Sequence, residues 1–208
     1  MVFTKDNLIK AILECSNLME QNKQYLIDLD SAFGDGDLGL TMTAGFAAAA
    51  EFVQASAETD LGKLTAQMGM AISKKVPSTM GTLVASGFLG AGKAVKGNTE
   101  LDNNSLNLFF KGFVDGVMAR GKASPGDRTI VDSIFPAQKA FESSVASGTD
   151  MVASLNAATI AAAEGVEESK KMVAKFGRAV YYGDQVLGKE DQGAVVGMLI
   201  FKAFNSTL

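Results

Sequence analysis

Three carboxylates fall within eight residues in Asp30-Ser31-Ala32-Phe33-Gly34-Asp35-Gly36-Asp37-Leu38-Gly39. Like charges at this spacing repel one another, and the interleaved glycines lose backbone entropy when ordered. Such a stretch is hard to justify as packing. A hard cation removes the repulsion, and Mg2+ suits an all-oxygen set of ligands. Mg2+ usually keeps part of its octahedron for water and phosphate oxygens, so a phosphate-bearing ligand comes with it. The stretch stops just before an apolar-periodic run beginning near Leu40. That places the acidic loop at a helix N-terminus, where free N–H groups and the dipole favour phosphate. The residues point to a metal–nucleotide or metal–phosphate site with Asp30, Asp35 and Asp37 as its candidate ligands.

Two other readings of the loop were weighed. An EF-hand loop starting at Asp35 would need an acidic or amide residue at its fifth position and Glu at its twelfth. Those positions hold Gly39 and Phe46, which excludes it. The simpler alternative is a polar turn whose Asp residues only cap the following helix. The repulsion within the triplet favours the metal. A second loop, Val76-Pro77-Ser78-Thr79-Met80-Gly81, also opens a helix, since Pro77 cannot sit inside one. Its two hydroxyls followed by Gly suit either phosphate or an ordinary Ser/Thr cap.

The elements that must position these loops read as helices. A stripe of Leu8, Ile12, Cys15 and Met19 follows a Thr4 cap and predicts a helix to about Asn22. A short turn at Tyr25–Leu29 leads into the acidic loop. Helices are expected from about Leu40 to Ala57, from the Asp60 cap to Lys75, on to about Val95 after the Pro77 loop, and from Ser105 to Ala119. Residues 127–146 resume the pattern with a kink expected at Pro136, and a long helix is read from Asp150 to Phe176. The Gly177–Gly183 stretch breaks the periodicity, and a last helix runs from about Gly193 to Phe204. No convincing strand alternation appears. The sequence therefore predicts an all-α chain, residues 1–208 forming a single domain of about eight helices in an up-and-down bundle or barrel. Alternate loops of such a fold gather at one end, which would bring together the acidic loop, the Pro77 loop, the Gly121 turn and the Gly177–Gly193 loop.

Composition narrows the chemistry. With 208 residues, a net charge of −4 and scattered Lys and Arg, nucleic-acid binding is not expected. No apolar run reaches the length of a membrane span and nothing resembles a secretion signal, so a cytoplasmic location is expected. Cys15, the one cysteine, lies on the apolar stripe and reads as a buried structural thiol. The chain has no histidine, which excludes a phosphohistidine, a His base and a His ligand on this protein.

The motifs taken together resemble the nucleotide-binding L subunit, or Dak2-type domain, of dihydroxyacetone kinases. Four ordered signatures carry the resemblance over essentially the whole chain. They are Leu29-Asp30 with Gly34-Asp35-Gly36-Asp37, Gly39 and Met42; Gly81 with Leu83; Asp127-Arg128-Thr129-Ile130-Val131-Asp132 with Pro136-Ala137; and Gly177-Arg178-Ala179, Tyr181 and Gly183 with Asp191, Gly193 and Ala194. The resemblance implies an eight-helix antiparallel barrel holding ADP or ATP and two Mg2+ at one end. Asp30, Asp35 and Asp37 would be the metal ligands and, with Arg178, the catalytic groups. The backbone after the third Asp, Leu38, Gly39, Leu40 and Thr41, and the Thr79-Met80 loop would hold the phosphates, with Met42, Ser78, Gly81 and Leu83 as further residues of the nucleotide site. Gly121, Thr129 and Ile130 would border the adenine, and Arg178 with Asp191, Gln192 and Gly193 would complete the pocket. In such a site catalysis is chiefly positioning and charge neutralisation.

The resemblance also implies partners. A separate K-type subunit would hold dihydroxyacetone covalently on its own histidine. A phosphohistidine protein of the sugar phosphotransferase system (the M-type subunit) would recharge the bound ADP. A homodimer is a further assembly considered. The 208-residue length fits that arrangement better than a fused ATP-dependent kinase. Departures from the family pattern cluster at the site. Leu38 replaces a His, Met80 a Ser, Gln185-Val186 an Arg-Ser pair and Gln192 a Pro. Each lost hydrogen bond beside phosphate would cost on the order of 1–3 kcal/mol. They keep open a divergent paralogue that binds Mg-nucleotide as a regulatory protein, or a kinase for another sugar or for a fatty acid.

Overall fold

The helices start where short polar side chains can accept a free N–H group from the first turn. In the computed structural model, which describes residues 1–208, Thr4, Asp60, Ser78, Asp102, Asp150 and Asp191 all do so. Nine α-helices result: α1 (Lys5–Gln21), α2 (Lys23–Phe33), α3 (Leu38–Ala55), α4 (Leu61–Lys75), α5 (Thr79–Ala94), α6 (Asn103–Gly121), α7 (Val131–Ala146), α8 (Met151–Ser169) and α9 (Gln192–Asn205). Arg178–Val186 forms 3-10 turns interrupted at Gly183, whose φ is 51°. A two-residue antiparallel pairing, Phe3–Thr4 (β1) with Glu100–Leu101 (β2), was too short to carry a readable alternation.

Eight of the helices form a ring. Each of α3 to α9 packs on its predecessor, α1 packs on α3, and α9 packs back on α1, so the wall closes on itself. The expected eight-helix antiparallel barrel is the observed fold, with α2 as an added short helix. Its axis is filled by one cluster of 50 buried residues, among them Phe46, Phe88 and Phe113, whose rings meet edge to face. No helix is long and apolar enough to cross a membrane. Cys15 is buried within the cluster, and burial pushes its thiol pKa far up.

Two contacts set how closely the wall packs. At Gly90 and Gly112 the backbones of α5 and α6 touch, and a Cβ on either would overlap the other's carbonyl oxygen. Gly116 is pressed in the same way on the Ser86 carbonyl. Small residues here let two helices approach at backbone distance.

Three boundaries differ from expectation. The turn read at Tyr25–Leu29 is a full helix over Lys23–Phe33, so Asp30 stands on its last turn. α7 starts at Val131 rather than residue 127, because Asp132 accepts the N–H groups of Gly126 (2.6 Å) and Thr129 (2.7 Å) and folds that stretch into a turn. α8 ends at Ser169, and the residues expected to extend it to Phe176 leave the barrel as an excursion. Pro136 lies inside α7, which continues through it to Ala146.

Candidate functional site

At one end of the ring the connections α2–α3, α4–α5, α6–α7 and α8–α9 converge, as counting antiparallel helices requires. Asp30 is 7% exposed and its carboxylate is tied down: Oδ2 accepts the N–H groups of Asp37 (3.0 Å) and Leu38 (3.3 Å). Its Oδ1 accepts the side-chain amide of Gln192 (3.3 Å). Gly36, at φ 74°, turns the chain sharply, and a Cβ there would press on Ser31 Oγ. The turn brings Asp35 and Asp37, both exposed, beside Asp30, with one carboxylate oxygen of each within 4.8 Å of the others.

Asp37 stands at the N-cap of α3 but makes no capping bond with its side chain. Each of the other capping aspartates does: Asp60, Asp102, Asp150 and Asp191 accept the third-position N–H. The carboxylate of Asp37 is turned toward its two neighbours instead. Its pKa is raised, first by desolvation and then by the negative charges of Asp35 and Asp30, with Arg178 opposing. The one cation at the triplet is Arg178, whose guanidinium lies 2.9 Å from Asp35. Three carboxylates facing one arginine leave negative charge uncompensated, and an all-oxygen donor set at this spacing fits a small divalent cation.

A cavity of about 500 Å3 opens on the triplet. Its walls are the start of α5 (Ser78, Thr79, Met80), Leu83, the turn at Thr129-Ile130, Gly177-Arg178 of the excursion, and Asp191-Gln192-Gly193 at the start of α9. A second lobe of about 440 Å3 shares Ser78, Thr79, Leu83, Thr129 and Ile130 with the first and continues to Val117, Gly121 and Ala123. The site is thus charged at one end and largely apolar at the other. Helices α3 and α5 both begin at its edge and direct their first-turn N–H groups there.

Not every expected residue lines it. Leu38 does, but Gly39 packs on the Lys23 carbonyl, Leu40 is 53% exposed, Thr41 is buried and Met42 lies in the core. Of these residues only the backbone amides of the first turn remain within the helix terminus. Gly81 is likewise behind the wall, its N–H taken by Ser78 Oγ at 3.0 Å, so Ser78 acts as an ordinary cap. Gln185 is exposed, and Val186 is buried with Ala174, Ala179 and Phe33 under the excursion. Asp191 is 4% exposed, caps α9 through Ala194 N–H (2.8 Å), and burial pushes its pKa up to about 6 against the lowering effect of that N–H and of Arg128.

Sequence reasoning missed Arg128, Phe176, Gly34 and Pro77 as lining residues. The signal for Arg128 was available: a charged pair, Asp127-Arg128, ahead of the apolar Ile130-Val131 stretch. Arg128 is 2% exposed and has a positive φ of 58°. That conformation costs a non-glycine residue about 1–2 kcal/mol, so neighbouring contacts must enforce it.

Comparison with known proteins identifies the family. The DAK2 domain family matches residues 32–206. The ADP-binding subunit DhaL of the PEP-dependent dihydroxyacetone kinase of Escherichia coli is 30% identical over 97% of this chain and 96% of its own length. The corresponding subunit of the Listeria innocua kinase 1 is 29% identical over 100% and 98%. The crystal structure of the dihydroxyacetone kinase of C. freundii superimposes with a TM-score of 0.71 at 25% identity, covering 97% of this chain and 34% of that one. A second structure of that enzyme, in complex with AMP-PNP and Mg2+, gives 0.70 at 24% identity and shows the same fold. These relatives are kinases or kinase subunits, and the chain spans about a third of the C. freundii protein but nearly all of the bacterial DhaL subunits. The chain belongs to the DAK2 domain family, alongside the ADP-binding DhaL subunits of dihydroxyacetone kinases.

Proposed function

We propose that this chain is the nucleotide-binding subunit of a dihydroxyacetone kinase. It passes a phosphoryl group from Mg2+-bound ATP to dihydroxyacetone, or a similar small ketose, held on a separate K-type subunit. A phosphohistidine protein of the phosphotransferase system recharges the ADP that stays bound. The names of the E. coli and L. innocua relatives support the assignment. The observation that carries it is the uncapped Asp37 carboxylate, turned from its own helix into a triplet whose only cation is Arg178.

Asp30, Asp35 and Asp37 hold Mg2+ in this reading. The metal, when bound, supplies the positive charge that offsets charge building on the transferring phosphoryl group. The residues do the rest by position. Two backbone N–H bonds and the Gln192 amide fix Asp30, so one ligand is oriented in advance. First-turn N–H groups of α3 and α5 meet phosphate oxygens, and Arg178 reaches the same oxygens from the excursion. Gly121 and Ile130 border the base in the apolar lobe. Without histidine, this chain can hold neither a phosphoryl group nor the ketose on an imidazole, and in this reading acceptor chemistry falls to the partner.

The test is direct. Natively purified protein is denatured and the released adenine nucleotide and Mg2+ are measured; about one ADP per chain is expected. Phosphoryl transfer to dihydroxyacetone is then measured with K- and M-type subunits added. A second reading is favoured by Leu38 and Met80, which line the cavity with apolar atoms. A protein that binds Mg-ADP but supports no transfer with either partner would be a nucleotide-responsive regulatory paralogue, and transfer at ordinary rates would exclude that.

A further inference from the structure

The excursion between α8 and α9 is narrowed at a neck where one side chain, Arg128, makes three of the bonds across it. Arg128 Nη1 donates to the carbonyls of Ser169 (2.8 Å) and Lys189 (2.9 Å), and Nη2 donates to that of Glu190 (3.3 Å). Ser169 is the last residue of α8, and Lys189-Glu190 directly precede the Asp191 cap of α9. One guanidinium therefore bridges the point where the chain leaves the barrel and the point where it returns. Three further contacts lace the same neck: Gly188 N–H to Lys170 O (2.8 Å), Asp191 N–H to Ser169 Oγ (3.0 Å) and the ion pair of Lys170 with Glu190 (3.3 Å). The residue before the arginine holds the outgoing limb. Asp127 Oδ1 lies 2.7 Å from Lys175 Nζ, and the Asp127 carbonyl accepts Lys175 N–H at 3.2 Å.

Beyond these clamps the excursion carries Arg178 to Asp35 and touches the acidic loop's helix through Phe33 and Tyr182. A buried arginine kept only for stability would be expected to pair with a carboxylate. The nearby carboxylates are committed elsewhere, Asp132 to backbone N–H groups of its turn and Asp191 to the α9 cap. All three hydrogen bonds of Arg128 go to the neck, and its Nε is left without a partner. We propose that Arg128 is a positioning residue: by clasping both ends of the 170–190 excursion it sets Arg178 over the acidic triplet. The proposal rests on reading that triplet as the metal–nucleotide site.

The test compares wild type, Arg128→Asn, Arg178→Ala and the double variant; Asn tolerates the positive φ but cannot span the neck. Hydrogen exchange on the ligand-free protein should rise about tenfold or more over residues 173–188 in Arg128→Asn, while α3 to α6 keep their protection. Mg-ADP affinity should fall about tenfold or more in each single variant. The double variant should bind no worse than the weaker single one, because both changes remove the same arginine from the phosphates. Losses that simply add, or unchanged exchange over 173–188, overturn the proposal. Arg128→Lys should restore part of the affinity, since a primary amine reaches fewer of the three carbonyls. Should Arg128→Asn not fold, Lys175→Met on the exposed limb should loosen 173–178 alone, and unaltered exchange there counts against the clasp. A wild-type chain that binds no Mg-ADP overturns the nucleotide reading instead, and exchange alone then decides the clasp.

Discussion

Replacing Asp37 with Asn should move two properties in opposite directions. The amide is isosteric, and the carboxylate it replaces makes no capping bond, so no hydrogen bond is lost at the start of α3. Two like-charge pairs disappear, each with oxygens within 4.8 Å. In bulk water a pair at that distance repels by about 0.9 kcal/mol, and exposure of Asp35 and Asp37 makes that screened value the appropriate one. Loss of the attraction to Arg178 and to the N-terminal dipole of α3 offsets part of the gain. The ligand-free variant should be more stable than wild type by about 1 kcal/mol, or about 2–4 °C in melting temperature for a chain of this size. The gain should shrink in high salt. Ligand acts the other way. Mg-ADP at a hundred times its Kd should stabilise wild type by about 2.7 kcal/mol and the variant hardly at all. Calorimetry or dye-monitored melting with and without Mg-ADP reads both effects. A ligand-free variant that melts below wild type, or one that Mg-ADP stabilises equally, refutes the reasoning.

Other outcomes follow from features of the site and the wall. Because burial raises the Asp191 pKa to about 6 from the usual 3.8, the native state binds an extra proton between those values. Stability from this group is fully present below about pH 4 and is lost as pH rises through 6, by about 3 kcal/mol at most. Asp191→Asn, which still caps α9, should flatten that part of the stability–pH profile. Gly112→Ala forces a methyl group onto the Gly90 carbonyl and should cost about 1–3 kcal/mol, read from urea unfolding. Cys15 should resist thiol reagents in the native protein and react only at the rate of global opening, since it is fully buried with its pKa raised. Gln192→Ala should weaken Mg2+ binding modestly by freeing Asp30 Oδ1, while Asp30→Asn should weaken it far more, as isothermal titration would show.

Much of the architecture was legible because it is written in local signals. Asp60 and Asp150 announce their helices as capping residues, and counting antiparallel helices places the acidic, Pro77, Gly121 and Gly177 loops at one end. The acidic triplet was legible because its like charges have no structural use. What escaped is tertiary in origin. Lys170 to Lys175 contain no helix breaker, and the chain leaves α8 there because Arg128 and Asp127 hold it elsewhere. α2 was underestimated because Leu26 and Asp30 are its only buried residues, too few to make a stripe. Thr41 and Met42 enter the expected site through the resemblance, Thr41 by its backbone, and helical rotation after Leu38 carries their side chains into the barrel.

Closure of the ring also brings the two ends of the chain together, away from the chemistry. Phe3 stacks on Phe204 at 5.9 Å, and Asn7 donates to the Thr207 carbonyl at 3.0 Å. A short peptide joining residue 1 to residue 208 would therefore disturb little. New ends could be opened between Ser147 and Gly148, on the same remote face, ahead of the Thr149 carbonyl that accepts from Asn103 of α6 and without touching the cavity. Such a circular permutant would test whether the barrel depends on the order in which its staves are synthesised. Equally, a tag or surface tether at residue 1 or residue 208 should leave the cavity facing free solution, where a partner can approach it.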